Sequence, residues 1–143
     1  MNELFLRKAR IEDSRKVFDL RNHPEVRKHS HNTDKIDFDM HQDWFQETLL
    51  DNSRQVLIAQ QGDDFVGMVR FDFIDNNYLL SWSISPKFQG RGLGKRMLNL
   101  ASKTINGNLM AEIKQNNIAS IKIAESIGMK LTKKKNNVLY YKK

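Results

Sequence analysis

No cysteine occurs in the 143 residues, so the chain offers no thiol nucleophile, no disulfide and no cysteine-based zinc site. A reducing, cytoplasmic setting is compatible with that composition. No apolar run approaches the roughly 18 residues of a membrane span, and the opening Met1-Asn2-Glu3-Leu4-Phe5-Leu6-Arg7 lacks an apolar signal core. These features predict a soluble protein with no membrane partner. With only two prolines and seven glycines, no Pro/Gly-rich boundary, repeat or low-complexity linker divides the chain. Its length predicts one domain, residues 1–143, with a core that needs neither metal nor disulfide.

Negative charge is the scarcer sign: 24 Lys and Arg stand against 17 Asp and Glu, for a net +7. A cationic surface attracts phosphates, nucleic acid included. The charges are nevertheless spread along the chain, and the densest run, Lys133-Lys134-Lys135, adjoins Asn136-Asn137 in an expected hairpin turn. No nucleic-acid partner is expected; the surface suits collection of small phosphorylated substrates.

The periodicities predict an α+β chain of about seven strands and four helices around a mixed sheet. Leu4 to Ala9 reads as a strand, and Asp13 as the cap of a helix to Asn22. Pro24 interrupts, and Asp37 caps a helix over Phe38 to Leu50, with Phe38, His41, Phe45 and Leu49 in one stripe and Trp44 beside it. Strands follow at Gln55–Gln60, Phe65–Ile74 and Tyr78–Ser85, separated by Gly62-Asp63-Asp64 and Asp75-Asn76-Asn77. In the third, Leu80, Trp82 and Ile84 alternate with Ser81, Ser83 and Ser85, whose small polar face leaves room for a ligand. A helix with apolar face Leu93, Met97, Leu100, Ala101 and Ile105 stops at Asn106-Gly107. Strand Leu109–Lys114, helix Asn117–Ile127 and strands Met129–Lys133 and Val138–Lys142 complete the chain.

Between that third strand and the helix lies Gln89-Gly90-Arg91-Gly92-Leu93-Gly94-Lys95. Glycine removes Cβ, so successive amides can turn toward one anion, and the helix adds its free first-turn N–H groups and dipole. A Walker A loop fails here: Gln89 and Arg96 stand where glycine and Ser/Thr are needed. A dinucleotide fingerprint fails at Lys95 or Met97. The spacing that fits is Gln-x-x-Gly-x-Gly. On the run Trp82 to Leu100 the chain resembles the GCN5-related N-acetyltransferases (GNAT), whose loop amides hold the pyrophosphate of acetyl-CoA. The order of elements resembles that fold over nearly the whole chain, a mixed, mostly antiparallel seven-stranded sheet.

The resemblance implies that Ser83, Ile84 and residues Gln89 to Lys95 bind acetyl-CoA, within a donor half at 78–128. It extends to Asn117-Ile118-Ala119-Ser120 through Gly128, where Asn117 and Ser120 would line the pantetheine. Asn117 and Gly128 also suit a plain helix cap and stop. Two positions depart from the pattern: Ala124 stands for the usual tyrosine, often the acid that protonates the CoA thiolate, and Met129 for phenylalanine. Direct transfer to an amine needs no covalent enzyme intermediate. In this fold the amide of Ile84 or a neighbour would donate to the oxyanion, and Glu112 would be the base. His29, His31 and His41 are alternatives to it. Tyr140 is preferred over Tyr141 as acid. No histidine spacing suggests a metal.

The acceptor half would be residues 1–50. Arg21, Arg27, His29, His41, Trp44 and Phe45 resemble the acceptor side of pseudaminic-acid-pathway acetyltransferases, which modify nucleotide-linked 4-amino-4,6-dideoxy sugars. Arg21 and Arg27 suit bidentate phosphate contacts, and Trp44 or Phe45 a stacked base or sugar. The rival acceptor is a protein N-terminal amine, and a CoA- or nucleic-acid-binding module without catalysis is a third reading. A monomer or a homodimer is expected.

Overall fold

The apolar alternation pulls seven strands into one sheet with helices on both faces. A computed structural model describes residues 3–143; Met1 and Asn2, where the signal-core reading begins, lie outside them. Strands β1 (Leu4–Lys8), β2 (Arg54–Gln61), β3 (Asp64–Ile74), β4 (Asn77–Ile84), β5 (Asn108–Lys114), β6 (Lys130–Lys135) and β7 (Val138–Lys142) join in the order β1-β2-β3-β4-β5-β7-β6. Every pairing is antiparallel except β4 with β5. Two-residue turns with left-handed backbone connect β3 to β4 at Asp75-Asn76 and β6 to β7 at Asn136-Asn137. Lysine-rich β6 is exposed along its whole length, and its charges blunt that sheet edge.

Five α-helices pack on this sheet, against the four expected: α1 (Ser14–Asn22), α2 (Pro24–Arg27), α3 (Phe38–Leu50), α4 (Leu93–Ser102) and α5 (Ile118–Ser126). The additional one is α2. Pro24 at its first position ends α1 yet suits a helix start, and His23 caps it by accepting from the Glu25 amide at 3.1 Å. Asp37 caps α3 through the Met40 amide at 3.1 Å. Asp13 does not cap α1: its carboxylate accepts from the Arg7 guanidinium at 2.7 and 2.8 Å and from the Arg10 amide at 2.7 Å. An ion pair with β1 has taken the oxygens that a cap would use.

One face of the sheet carries α4 and α5 over a core that includes Leu80, Ile84, Leu98, Ala111, Ile113 and Ala124. The other carries α1 and α3, where Val17, Leu20 and Phe45 meet Val56, Ile58 and Met68. On α4 the buried face is Leu93, Gly94, Met97, Leu98 and Ala101, while Leu100 lies 36% exposed at its rim. Small Gly94 and Ala101 let the helix settle close to its neighbours and turn Leu98 inward.

The functionally decisive irregularity lies between β4 and β5. They pair only at Asn77 with Asn108, Tyr78 with Leu109 and Leu79 with Met110. Beyond Leu79 the strands part, leaving a V-shaped cleft through the sheet.

Candidate active site

The parted strands expose backbone. Ser85 donates to the Val66 carbonyl at 2.7 Å, so Ser85, Ser83 and Ser81 direct their amides to β3, and alternation turns those of Trp82 and Ile84 into the cleft. Gly67 faces Ile84 across β3 and β4. A Cβ there would strike the Ser83 carbonyl, so a glycine is what lets the two strands approach at this point. The Ile84 carbonyl also faces the cleft, where Gln89 Nε2 donates to it at 3.2 Å. That bond ties the glycine loop to the strand.

The loop's glycines divide into two roles. Gly90 (φ 79°) and Gly92 (φ 73°) adopt left-handed backbone, and a Cβ built on either meets nothing within 4 Å. Gly92 precedes α4, whose first turn leaves the amides of Leu93, Gly94 and Lys95 ahead of the Arg96 to Gly92 bond at 3.3 Å. These residues therefore fit a pyrophosphate, with open space above free donors and the positive end of a ten-residue helix beneath. Gly94 instead serves packing, because its Cβ would lie 2.5 Å from Ile123 Cδ1 on α5. Arg91 stands outside the cavity, 5.4 Å from the Phe88 ring centroid.

Two cavities meet at the cleft. The first, about 410 Å³, is lined by the glycine loop, Lys95, Ile84 and the start of α5. The second, about 330 Å³, opens on the α1 side between Arg21, Arg70, Ser81, Glu112, His31 and Ile36. His29, Trp82, Ser83, Asn117 and Ser120 line both. Asn117 caps α5 by accepting from the Ser120 amide at 3.2 Å while still bordering both spaces. The indole N–H of Trp82 is buried without an acceptor. Such a donor costs free energy until a ligand or water completes it.

The chain matches the family described as acetyltransferase (GNAT) domain over residues 3–130. It belongs to the GNAT acetyltransferases. Among curated protein sequences none matches it. Solved structures share its fold: a domain from Methanocaldococcus jannaschii superposes with TM-score 0.89 at 23% identity, covering 100% of this chain and 99% of that one. Spermidine N-acetyltransferase from Vibrio cholerae, in complex with CoA and spermine, gives 0.84 at 17% identity over 97% and 92%. A ribosomal L7/L12 alpha-N-protein acetyltransferase in complex with coenzyme A gives 0.83 at 15% over 98% and 93%. As a family member the chain is an acetyl-CoA-dependent N-acetyltransferase that acts on amines.

In this acetyltransferase the other sequence-derived residues are placed as follows. Glu112 lines the second cavity with its Oε1 3.4 Å from His31 Nε2. His29 stands at the junction; burial, then the charge of Lys28, holds its pKa below the ordinary value, with Lys114 adding to this and Glu25 opposing it. Of the six acceptor-side residues only Arg21 and His29 reach a cavity. Arg27 instead fastens its own segment, donating to the Asn22 carbonyl at 3.0 Å. His41, Trp44 and Phe45 form a layer behind Arg21, with His41 stacked on Phe45 at 5.7 Å. Tyr140 pairs opposite Glu112 across β5 and β7 but lies outside both cavities, with Lys133 Nζ 4.8 Å from its ring centroid. Tyr141 is buried in the α4/α5 core, which raises its pKa, and Ala124 is buried in the same core. Arg70 escapes a sequence reading, being an ordinary strand residue until the fold brings it to the cavity, whereas Ser81, on the polar face of its strand, and Ile36, in the acceptor third of the chain, line that cavity too. Among the described residues no group of three His, Asp or Glu is arranged to hold a metal ion.

Proposed function

We propose that this enzyme transfers the acetyl group of acetyl-CoA directly to the 4-amino group of a nucleotide-linked dideoxy aminosugar. The observation that carries the reading is the meeting of the two cavities at the splayed strands, because an amine entering from the α1 side reaches the strand edge along which a thioester would lie. Acetyl-CoA supplies the activated acyl group. Gly90, Gly92 and the first turn of α4 bind its pyrophosphate, and the cleft-facing amides of Trp82 and Ile84 orient the acyl arm. As the amine nitrogen bonds to the carbonyl carbon and the carbon–sulfur bond breaks, the Ile84 amide stabilises the charge on oxygen. Glu112, with His31 beside it, takes the amine's proton toward solvent. The start of α5, with Asn117 and Ser120, faces the departing sulfur.

A protein N-terminal amine is the second reading, and the openness of the Glu112 and His31 side favours it. Glu112 is 36% and His31 63% exposed in their side chains, so a peptide end can enter there. An α-amine, with an unperturbed pKa of about 7.7–8.0, also needs little help from a base. Thiol release from acetyl-CoA is the test, run against UDP- and dTDP-linked amino sugars, peptides with free N-termini and simple amines. Turnover of the nucleotide sugars at the highest kcat/KM is expected, and a peptide-only response overturns the preferred acceptor.

A further inference from the structure

The wall of the second cavity holds more positive charge than the chain neutralises. Arg21, in the last turn of α1, stacks its guanidinium 4.1 Å over the Trp44 ring, and Arg70 on β3 approaches the same ring at 5.5 Å. Arg21 Nη1 donates to His41 Nδ1 at 2.9 Å. The other ring nitrogen, Nε2, is 3.0 Å from the Ser14 carbonyl, which can only accept, so Nε2 carries the proton and Nδ1 does not. His41 is therefore a neutral partner, and burial together with Arg21 depresses its pKa. Arg70 does have a carboxylate, Asp72 at 3.2 Å, but Arg54 shares it at 3.4 Å. Two guanidiniums thus share one acid, and Arg21 pairs with no carboxylate among the described residues.

We propose that Arg21 and Arg70 form an anion site in this cavity, so that the amine acetylated here sits on a molecule bearing a phosphate or carboxylate and polycationic amines are turned away. The inference rests on the reading of this cavity as the acceptor site. Neither arginine lines the glycine-loop cavity, so the anion is not the pyrophosphate of CoA. Burial, then the neighbouring Arg70, lowers the pKa of Arg21 to about 10. A guanidinium withdrawn from water beside a like charge is costly until an anion completes it, and its planar fork suits both oxyanions. Among the described residues the only acid lining the cavity is Glu112, too little to attract a chain of ammonium groups. That separates this pocket from what the spermine-bound Vibrio cholerae enzyme accommodates.

Calorimetry on the CoA-saturated protein tests the proposal, since CoA occupies the glycine cradle and keeps the probe anions out of it. UDP is the phosphate probe, glycylglycine the carboxylate probe and spermidine the cationic control. Saturable binding of UDP or glycylglycine is expected, with the stronger of the two naming the anion. It should weaken about thirtyfold or more in Arg21→Gln and in Arg70→Gln, the effect of removing one member of a desolvated charge pair. Arg21→Lys should lose part of the binding, because it keeps the charge without the fork. Should Arg21→Gln fail to fold by circular dichroism, Arg70→Gln decides. Absence of saturable anion binding, wild-type affinity in both Gln variants, or tighter binding of spermidine overturns the site. Arginine-dependent anion binding without thiol release from any amine would sink the acceptor reading while leaving the anion site standing.

Discussion

At the scale of single residues, the acceptor chemistry divides between a wet carboxylate and a dry imidazole. Glu112 faces the cavity beside His31 and water, so it can pass a proton outward. For Glu112→Gln we expect turnover to fall about a hundredfold, the usual lower contribution of a positioned general base, with acetyl-CoA affinity unchanged. Wild-type turnover would move the role to His29, which its surroundings keep neutral. His41, only 1% exposed, is structural. Its folded pKa lies below its unfolded value of about 6.5, so the unfolded chain binds the extra proton first. Its contribution is full above that value and is lost as pH falls through the lower folded pKa. Urea titrations should show wild type losing stability between pH 6.5 and 5 more steeply than His41→Gln; parallel slopes would contradict the neutral-imidazole assignment.

At the scale of elements, most of the fold can be read from local signals because each signal has a local cause. Asp75-Asn76 and Asn136-Asn137 turn because Asp and Asn tolerate left-handed backbone, and Asp37 starts α3 because its oxygen reaches the Met40 amide. Asp13 misleads because its competitor, Arg7, is supplied by another element. Leu98 and Leu100 exchange roles because the seating of α4 on the sheet selects the buried face, and periodicity leaves both leucines near its margin. Gly67 is the least legible: in sequence it is a glycine that should weaken a strand, and in the fold it admits β4. We expect Gly67→Ala to cost about 1–3 kcal/mol, as overpacking does, and to lower kcat by displacing the Ser83-Ile84 backbone. Unchanged stability and kcat would mean that the strands yield without consequence for the cleft.

At the scale of the molecule, the donor half is legible and the acceptor half is not, for reasons of connectivity. Two short stretches, Trp82 to Lys95 and Asn117 to Ile123, supply most of the donor wall, so their internal spacing survives in the chain. The acceptor wall gathers Arg21, Ile36, Arg70 and Glu112 from four separate elements or loops, and no linear pattern records that. The donor segment also bridges the sheet's weakest seam, where β4 and β5 share three pairings. A ligand on the glycine loop, β4 and the start of α5 therefore spans both halves of the sheet. CoA at about one hundred times its Kd should stabilise the fold by about 2.7 kcal/mol. For a domain of this size that corresponds to a Tm rise of roughly 8 °C. Gly92→Glu should abolish the rise, since it places a negative side chain on left-handed backbone in the anion cradle. Hydrogen exchange should slow in β5 and β7 as well as in β4 and α4. Protection confined to β4 and α4 would show that the ligand rests on one half alone, leaving the seam unbridged.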